Sequence, residues 1–211
     1  MKHIINHHIV PRETFARTNL VFEQHKNCLE SYIDQLLWWN RRVNLISRHV
    51  SRETVEKHVF HSLLLTSLNP FRQSDMVIDA GTGGGLPGLP LAISNPDKQF
   101  TLNDVVSKKV LATKQMARKL GISNTEFADR SIADIKTEKP FLLVSKHAFK
   151  INQLYEMTQG LAWEAMVFYK GLDFKEELSG LESPLVIDVH SLQEYAEDNF
   201  YKEKAIIFVR R

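Results

Sequence analysis

Residues 77–90 read VIDAGTGGGLPGLP, and they are the most informative segment of the chain. Its apolar start ends in the acid Asp79 and passes directly into a turn dense in glycine. Such an order is typical of a buried strand that leads into a helix through a tight turn. Because glycines lack a Cβ atom, a ligand can approach the main chain closely at this turn. We therefore expect a nucleotide-like ligand to bind there.

Two classes of cofactor use such a turn. Nicotinamide and flavin dinucleotides need a Gly-x-Gly-x-x-Gly spacing, which Gly83, Gly85 and Gly88 provide. S-adenosylmethionine has no phosphate and carries a positive sulfonium, so a carboxylate just before the glycines, here Asp79, favours it. Both ligands need an acid at the end of the next strand, where Asp104 stands. The pattern favours S-adenosylmethionine, with a dehydrogenase site or a plain turn capped by Asp79 as alternatives.

Apolar strands and helical stretches alternate from residue 74 onwards, which predicts an α/β protein with a doubly wound sheet. Helices are predicted over residues 19–40, 51–66 and 107–120, with Ser51 as an N-cap. We expect a helical extension over residues 1–72 and the sheet domain over residues 73–211. Residues 1–18 are compatible with either a flexible arm or a small ordered cap. The predicted strands are residues 76–78, 99–104, 125–128, 141–145, 165–169, 185–189 and 204–209.

The bulk composition is that of an ordinary globular chain of 211 residues with a net charge of +2. No apolar run reaches the length of a membrane span, and the first residues lack the apolar core of a secretory signal. Cys28 is the only cysteine, which excludes an internal disulfide and a cysteine-based metal cluster. We therefore expect a cytoplasmic protein without a metal.

Positive charge is concentrated near the amino terminus, where residues 1–70 hold nine Lys and Arg against six Asp and Glu. This distribution predicts a surface that attracts phosphates, with an ordinary solvated helix face as the alternative. Trp38 and Trp39 are expected to anchor the first helix to the sheet domain rather than to stack on bases. The clustered basic residues are Arg41, Arg42, Arg48, His49, Arg52, Lys57, His58 and His61.

Three blocks of sequence resemble the glucose-inhibited division protein B family of bacterial methyltransferases. They are Trp39-Asn40-x-x-x-Asn44-Leu45 followed by Lys57-His58-x-x-x-Ser62, the 79–90 loop with Leu86-Pro87-Gly88, and Thr101-Leu102-x-Asp104 leading into Lys108-Lys109. The resemblance implies a Rossmann-like class I fold with a seven-stranded, mostly parallel sheet that ends in an antiparallel hairpin. It also implies transfer of a methyl group from S-adenosylmethionine to N7 of a guanine in 16S ribosomal RNA, by a monomer acting on that RNA or on the small subunit.

The chain departs from the family pattern at several basic positions. Lysine stands where arginine is usual at Lys57, Lys146 and Lys204, and His61 replaces an acid. Lysine keeps the charge of arginine but lacks its planar, bidentate fork. A protein that binds the cofactor and ribosomal RNA without transferring a methyl group is therefore the alternative to an enzyme.

The resemblance and the strand ends together predict the site residues. Since N7 of guanine already carries a lone pair, no general base is expected and positioning should dominate. Tyr169 or Phe149 could receive an unstacked base. The predicted cofactor-binding residues are Asp79, Gly81, Thr82, Gly83, Gly85, Leu86, Pro87, Asp104, Ile132, Ala133 and Lys146. The predicted anchors of the reacting guanine or its phosphate are Lys146, Lys170 and Arg130. We expect the helical extension to face the RNA. The predicted RNA contacts are Asn40, Asn44, Lys57 and His58 in the extension and Lys204 in the last strand.

Overall fold

The computed structural model describes residues 3–195 and 198–211, and its centre is one eight-stranded sheet. Along the sheet the strand order is β1-β7-β8-β6-β5-β2-β3-β4. All pairings are parallel except those of β8, which runs antiparallel to both β6 and β7. The strands are β1 (Ile4–Ile9), β2 (Met76–Ala80), β3 (Gln99–Asn103), β4 (Thr125–Ala128), β5 (Phe141–Lys146), β6 (Trp163–Gly171), β7 (Val186–Ser191) and β8 (Lys204–Arg210). The predicted mostly parallel sheet with a final antiparallel hairpin is therefore confirmed.

The eighth strand comes from the amino-terminal segment that the sequence left open. β1 pairs with β7 from Ile4 beside Val186 to Ile9 beside Ser191, and it forms the edge of the sheet. Its residues are mostly exposed, so it adds little to the core. Seven of the strands correspond to the seven that the sequence predicts, and β1 extends that sheet by one.

Seven α-helices accompany the sheet among the described residues. The predicted single helix over residues 19–40 is instead two helices that change direction at His25, whose φ and ψ are −108° and 14°. This break lets α1 contact α3 while α2 lies against α6. The helices are α1 (Arg12–Gln24), α2 (Lys26–Val43), α3 (Arg52–Leu63), α4 (Asn69–Gln73), α5 (Gly88–Ser94), α6 (Ser107–Lys119) and α7 (Ile151–Met157).

The predicted N-cap at Ser51 and an apolar stripe along α2 explain how these helices form and dock. Ser51 accepts a hydrogen bond from the amide of Thr54 and so begins α3. On α2, one apolar face is completely buried, while Trp39 packs beside it as predicted. Trp38 contradicts the packing prediction, because it is 46% exposed and stacks under the guanidinium of Arg42, 3.5 Å from the ring centroid. The fully buried residues of the α2 stripe are Leu29, Tyr32, Ile33 and Leu36.

Apolar side chains fill both faces of the sheet. On one face, α1 to α3 share a continuous core with β2, β6 and β8, so residues of the extension and of the sheet pack against each other. On the other face, α7 and the segment after β6 cover the strands. In the part of the chain that the structure describes, no helix combines the length and apolarity that crossing a membrane requires.

Candidate functional site

A cavity of about 690 Å³ opens at the carboxyl ends of β2, β3 and β5. Open parallel sheets bind their ligands at this edge. Four segments supply most of its walls: the glycine turn after β2, residues 103–106 at the end of β3, residues 146–149 at the end of β5, and the loop between α2 and α3. Of the predicted site residues, those in the wall are His58, Gly81, Thr82, Gly83, Leu86, Asp104, Ile132 and Lys146.

Gly81 allows two of these segments to meet. Its φ is +74°, and a Cβ atom on it would stand 2.3 Å from the Cβ of Ala148 in the loop after β5. Any side chain would therefore push the two loops apart. The amides of Gly81 and Thr82 both donate to the carbonyl oxygen of Asn103 at 2.9 Å, which ties the turn to the end of β3. The glycine turn is thus fixed from both sides.

Asp79 does not line the cavity; its buried carboxylate stabilises the glycine turn through hydrogen bonds. Its Oδ2 accepts hydrogen bonds from the Thr82 hydroxyl at 2.6 Å and from the Gly88 amide at 2.9 Å. Its Oδ1 is buried and has no hydrogen-bond partner among the described residues. Burial raises the pKa of this carboxyl to about 7, against the opposing effect of the two hydrogen bonds.

Asp104 lines the cavity at the end of β3, as the sequence predicts. Its two carboxylate oxygens accept from the amides of Gly83 at 3.1 Å and Val106 at 2.9 Å. The next residues are apolar yet exposed, with Val105 at 66% and Val106 at 42%, and together with buried Ile132 they line the same cavity. A carboxylate beside apolar walls suits a ligand with both hydroxyl groups and a flat ring.

Lys146 reaches the cavity from the end of β5, and it is almost completely buried. Its ammonium donates to the His58 carbonyl oxygen at 2.6 Å and to the Ser62 hydroxyl at 3.1 Å. The centroid of the Tyr169 ring lies 5.2 Å from Nζ. Desolvation, reinforced by the charge of Lys204, lowers the pKa of Lys146 well below its usual value. The Lys146 side chain therefore links the carboxyl end of β5 to α3.

Three histidines lie around this lysine, and two of them, His58 and His61, belong to the basic cluster that was predicted for the amino-terminal surface. His58 and His147 both line the cavity, with ring centroids 5.9 Å apart. Burial, followed by the charge of Lys146, lowers the pKa of His58 to about 3. Desolvation by the surrounding loop, followed by the same charge, lowers the pKa of His147 to about 4, although His147 lies at the exposed rim of the cavity. His61 was predicted on the surface and is instead completely buried against Tyr169, because α3 turns this face toward the sheet.

Two of the predicted guanine anchors lie outside the cavity wall. Lys170 donates to the Phe149 carbonyl oxygen at 2.8 Å and pairs with Glu177, also at 2.8 Å. Arg130 follows β4 with an exposed side chain, and its carbonyl oxygen accepts from the Asn103 amide group at 2.7 Å. Gly85, Pro87 and Ala133 stand next to wall residues but are not part of the wall themselves.

The predicted RNA contacts are spread more widely. Asn40 is buried and clamps the following loop, donating to the Ser47 carbonyl oxygen at 3.0 Å and accepting from the Ile46 amide at 2.9 Å. Asn44 ends α2 in the left-handed conformation, with φ of 49°.

Both lysines of this set have partners within the described chain. Lys57 pairs with Glu53 at 2.8 Å and with Asp198 at 3.2 Å. The ammonium of Lys204 lies 3.4 Å from the centroid of the Phe200 ring. His58 is therefore the member of the predicted RNA set that reaches the cavity.

Sequence reasoning missed one wall completely. The loop after α2 contributes Leu45, Ile46, Ser47 and Val50 to the cavity. The sequence feature that could have indicated this loop is the pair Asn40 and Asn44 at the end of α2, which the sequence analysis interpreted as RNA contacts. Asn40 instead fixes the loop, so its effect on the cavity is indirect.

A family model described as rRNA small subunit methyltransferase G, GidB, matches residues 25–203. The chain belongs to this family. The match confirms the resemblance carried by the three sequence blocks. Members of the rRNA small subunit methyltransferase G family are S-adenosylmethionine-dependent enzymes that methylate ribosomal RNA of the small subunit, and this removes the dehydrogenase alternative.

Individual comparisons agree with the family. The chain is 33% identical over 199 residues to Ribosomal RNA small subunit methyltransferase G of Chlorobium limicola, covering 90% of each sequence. Among solved structures, cofactor-bound Rv0187 from MTB superposes with a TM-score of 0.58 at 14% identity, covering 87% of this chain and 89% of that one. The O-methyltransferase TomG from Streptomyces achromogenes, in complex with SAM, gives a TM-score of 0.53 at 13% identity, with coverages of 84% and 87%. These two structures support the Rossmann-like methyltransferase fold.

Proposed function

We propose that this member of the family methylates N7 of a guanine in 16S ribosomal RNA, acting as a monomer in the cytoplasm. The observation that carries the proposal is the single cavity into which the glycine turn, Asp104 and the loop after β5 all open. In this arrangement a cofactor at the glycine turn and a base at the loop after β5 would be neighbours, which supports the proposal. An enzyme that transfers a group between two bound molecules needs this proximity.

The residues present fit S-adenosylmethionine. Asp104 would accept hydrogen bonds from ribose hydroxyls, while Val106 and Ile132 offer apolar surface to an adenine ring. The amides of residues 81–83 already donate within the protein, so the carbonyl oxygen of Gly81 would accept from the amino group of the amino acid end. When bound, S-adenosylmethionine supplies an electrophilic methyl group on a sulfonium. The remaining predicted cofactor residues have supporting roles. Asp79, Gly85 and Pro87 shape the turn, Leu86 and Lys146 line the cavity, and Ala133 follows the wall residue Ile132.

The site needs no group to remove a proton, because N7 of guanine attacks with its own lone pair. The imidazoles that line the cavity, His58 and His147, both have a lowered pKa and stay neutral near pH 7. Neutral rings can orient a purine without repelling a cationic sulfonium, whereas protonated rings would oppose it. The protein therefore contributes orientation and exclusion of water rather than acid–base chemistry.

The RNA would approach over α2, α3 and the loop between them. Arg41, Arg48 and His49 are exposed close to the loop that forms one wall of the cavity, and Arg130 is exposed beyond β4. Phosphate contacts from such side chains position an RNA without reading its sequence. We keep Asn44, Lys57 and Lys204 as candidate contacts at the periphery. Lys170 directs its ammonium at two partners within the protein, so it has the least capacity to bind a phosphate.

Transfer of labelled methyl groups tests the proposal. The protein would be incubated with S-adenosylmethionine labelled in its methyl group and with small ribosomal subunits from cells that lack this modification. We expect label in 16S RNA at one guanine, with the chain cleavable at that nucleotide by chemistry specific for 7-methylguanine. Label on another base atom would contradict the N7 assignment, and cofactor binding without transfer would favour the alternative of a non-catalytic binding protein.

A further inference from the structure

Phe149 stands where the cavity meets the loop after β5. We propose that its ring is the surface on which the target guanine stacks, and that the ion pair between Lys170 and Glu177 holds this ring in place. The proposal rests on the function proposed above. It assigns the stacking role to one of two aromatic residues that the sequence could not separate.

Tyr169 is the other aromatic candidate, and its surroundings exclude it. Its ring is completely buried, and the centroid of the His61 ring lies 4.9 Å away. Its hydroxyl donates to the Ser62 carbonyl oxygen at 2.9 Å. With its ring enclosed and its hydroxyl engaged, Tyr169 offers no face to a base.

Phe149 has the properties that Tyr169 lacks. It is half-buried and lines the same cavity as Asp104 and Lys146. Its Cε2 atom lies 3.1 Å from the point where a Cβ on Gly81 would stand, so the ring lies directly beside the glycine turn. A guanine taken out of an RNA stack loses its neighbours, and an aromatic ring can replace them. A base stacked on Phe149 would therefore lie next to the cofactor turn.

One carboxylate holds the backbone on the carboxyl side of Phe149. Lys170 on β6 donates to the Phe149 carbonyl oxygen at 2.8 Å and also to Glu177 Oε1 at 2.8 Å. Glu177 Oε2 accepts from the amide of Ile151 at 2.9 Å. The side chains of Lys170 and Glu177 are only 15% and 21% exposed, so water screens this pair weakly. Lys170 and Glu177 are thus positioning residues that act through the loop.

Substituting Phe149→Leu removes the aromatic face but keeps an apolar side chain. At saturating S-adenosylmethionine, we expect kcat/KM for unmodified small subunits to fall by roughly tenfold or more, because stacking of a base on an aromatic ring is lost. The Kd for S-adenosylhomocysteine, measured by calorimetry, should stay unchanged, and Phe149→Tyr should restore most of the rate. The matched control is Phe127→Leu, which alters a half-buried phenylalanine on β4 outside the cavity wall.

The outcomes separate the stacking role from the proposed function. If the wild-type protein methylates small subunits and Phe149→Leu does so at the same rate, the stacking role is wrong. If Phe149→Leu weakens binding of S-adenosylhomocysteine as strongly as it lowers kcat/KM, then Phe149 belongs to the cofactor site and the proposal fails. A wild-type protein without transfer activity would instead overturn the proposed function.

Glu177→Gln tests the positioning role and leaves Phe149 itself in place. We expect a lower kcat/KM for the RNA with an unchanged Kd for S-adenosylhomocysteine. In the double variant with Phe149→Leu, the two losses should not add, because both act through the same ring. Additive losses, or full activity of Glu177→Gln, would show that the ion pair does not act through Phe149. If Phe149→Leu fails to fold, full activity of Glu177→Gln would still overturn the positioning part of the proposal.

Discussion

The phenol of Tyr32 on α2 donates a hydrogen bond to the carbonyl oxygen of Gly84 in the glycine turn, at 2.9 Å and fully buried. Leu36, one helical turn further along α2, packs against the same glycine, since a Cβ on Gly84 would stand 2.4 Å from its Cδ1. The helical extension therefore supports the glycine turn directly.

Tyr32→Phe should destabilise the protein by about 1–3 kcal/mol, because a buried carbonyl oxygen loses its hydrogen-bond donor. The free energy of unfolding in urea measures this. The control is Tyr195→Phe, in which the altered tyrosine is 40% exposed. We expect that control to change stability by less than about 0.5 kcal/mol. Equal losses of unfolding free energy in the two variants would show that the hydrogen bond to Gly84 does not stabilise the protein.

Gly81→Ala should abolish binding of S-adenosylhomocysteine and methyl transfer, because the added Cβ would stand 2.3 Å from that of Ala148. Gly121→Ala provides the matched control. Its φ of +69° is similarly unfavourable for alanine, but nothing lies within 4 Å of an added Cβ. The control should thus lose some stability and keep its affinity for the ligand. Calorimetric titration of both variants makes the comparison, and retained affinity in Gly81→Ala would contradict the described packing of the two loops.

His61 predicts a specific pH dependence. Burial lowers its pKa well below the ordinary value of 6.5, so the folded protein keeps it neutral while the unfolded chain takes up a proton below about pH 6.5. Its contribution to stability is therefore present above that pH and is lost as the pH falls. Neither ring nitrogen has a hydrogen-bond partner among the described residues.

His61→Leu should consequently be neutral or stabilising near pH 7.5, because it replaces an unpaired polar ring by an apolar side chain. It should also reduce the loss of unfolding free energy between pH 6.5 and pH 4, compared with the wild type. Urea unfolding at a series of pH values measures both effects. Asp79 has a raised pKa, so its effect on the pH dependence of the unfolding free energy has the opposite sign. This effect is the same in the wild type and in His61→Leu, and it cancels when the two pH profiles are subtracted. A parallel pair of pH profiles would show that His61 does not titrate on unfolding.

Local patterns were enough to predict most of the fold. β4 has the predicted bounds, residues 125–128, and the turn after β2 with Asp104 lies where the sequence put it. These features follow from alternation of apolar residues and from glycine spacing within a few residues of chain. β1 was not predicted, because an exposed edge strand has no buried face and hence no periodic signal.

The parts of the site that sequence could not supply depend on contacts between distant residues. Lys170 is an ordinary lysine at a strand end until the fold brings Glu177 and the Phe149 carbonyl oxygen to it. From its sequence position, Asn40 could either bind RNA or stabilise a loop. Its hydrogen bonds to residues 46 and 47, which only the structure shows, indicate that it stabilises the loop after α2. Trp38 was expected to pack and is exposed because it lies off the buried stripe of α2.

In the proposed function, the cavity beside the glycine turn binds S-adenosylmethionine and Asp104 is the carboxylate that receives the ribose. Calorimetric titration of S-adenosylhomocysteine into the wild type, Asp104→Asn and the control Asp97→Asn tests this most directly; Asp97 is exposed and precedes β3, at the opposite end of that strand. We expect Asp104→Asn to weaken binding by about tenfold or more, because charge-assisted hydrogen bonds are lost, while the control binds like the wild type. Equal affinity in all three proteins would contradict it.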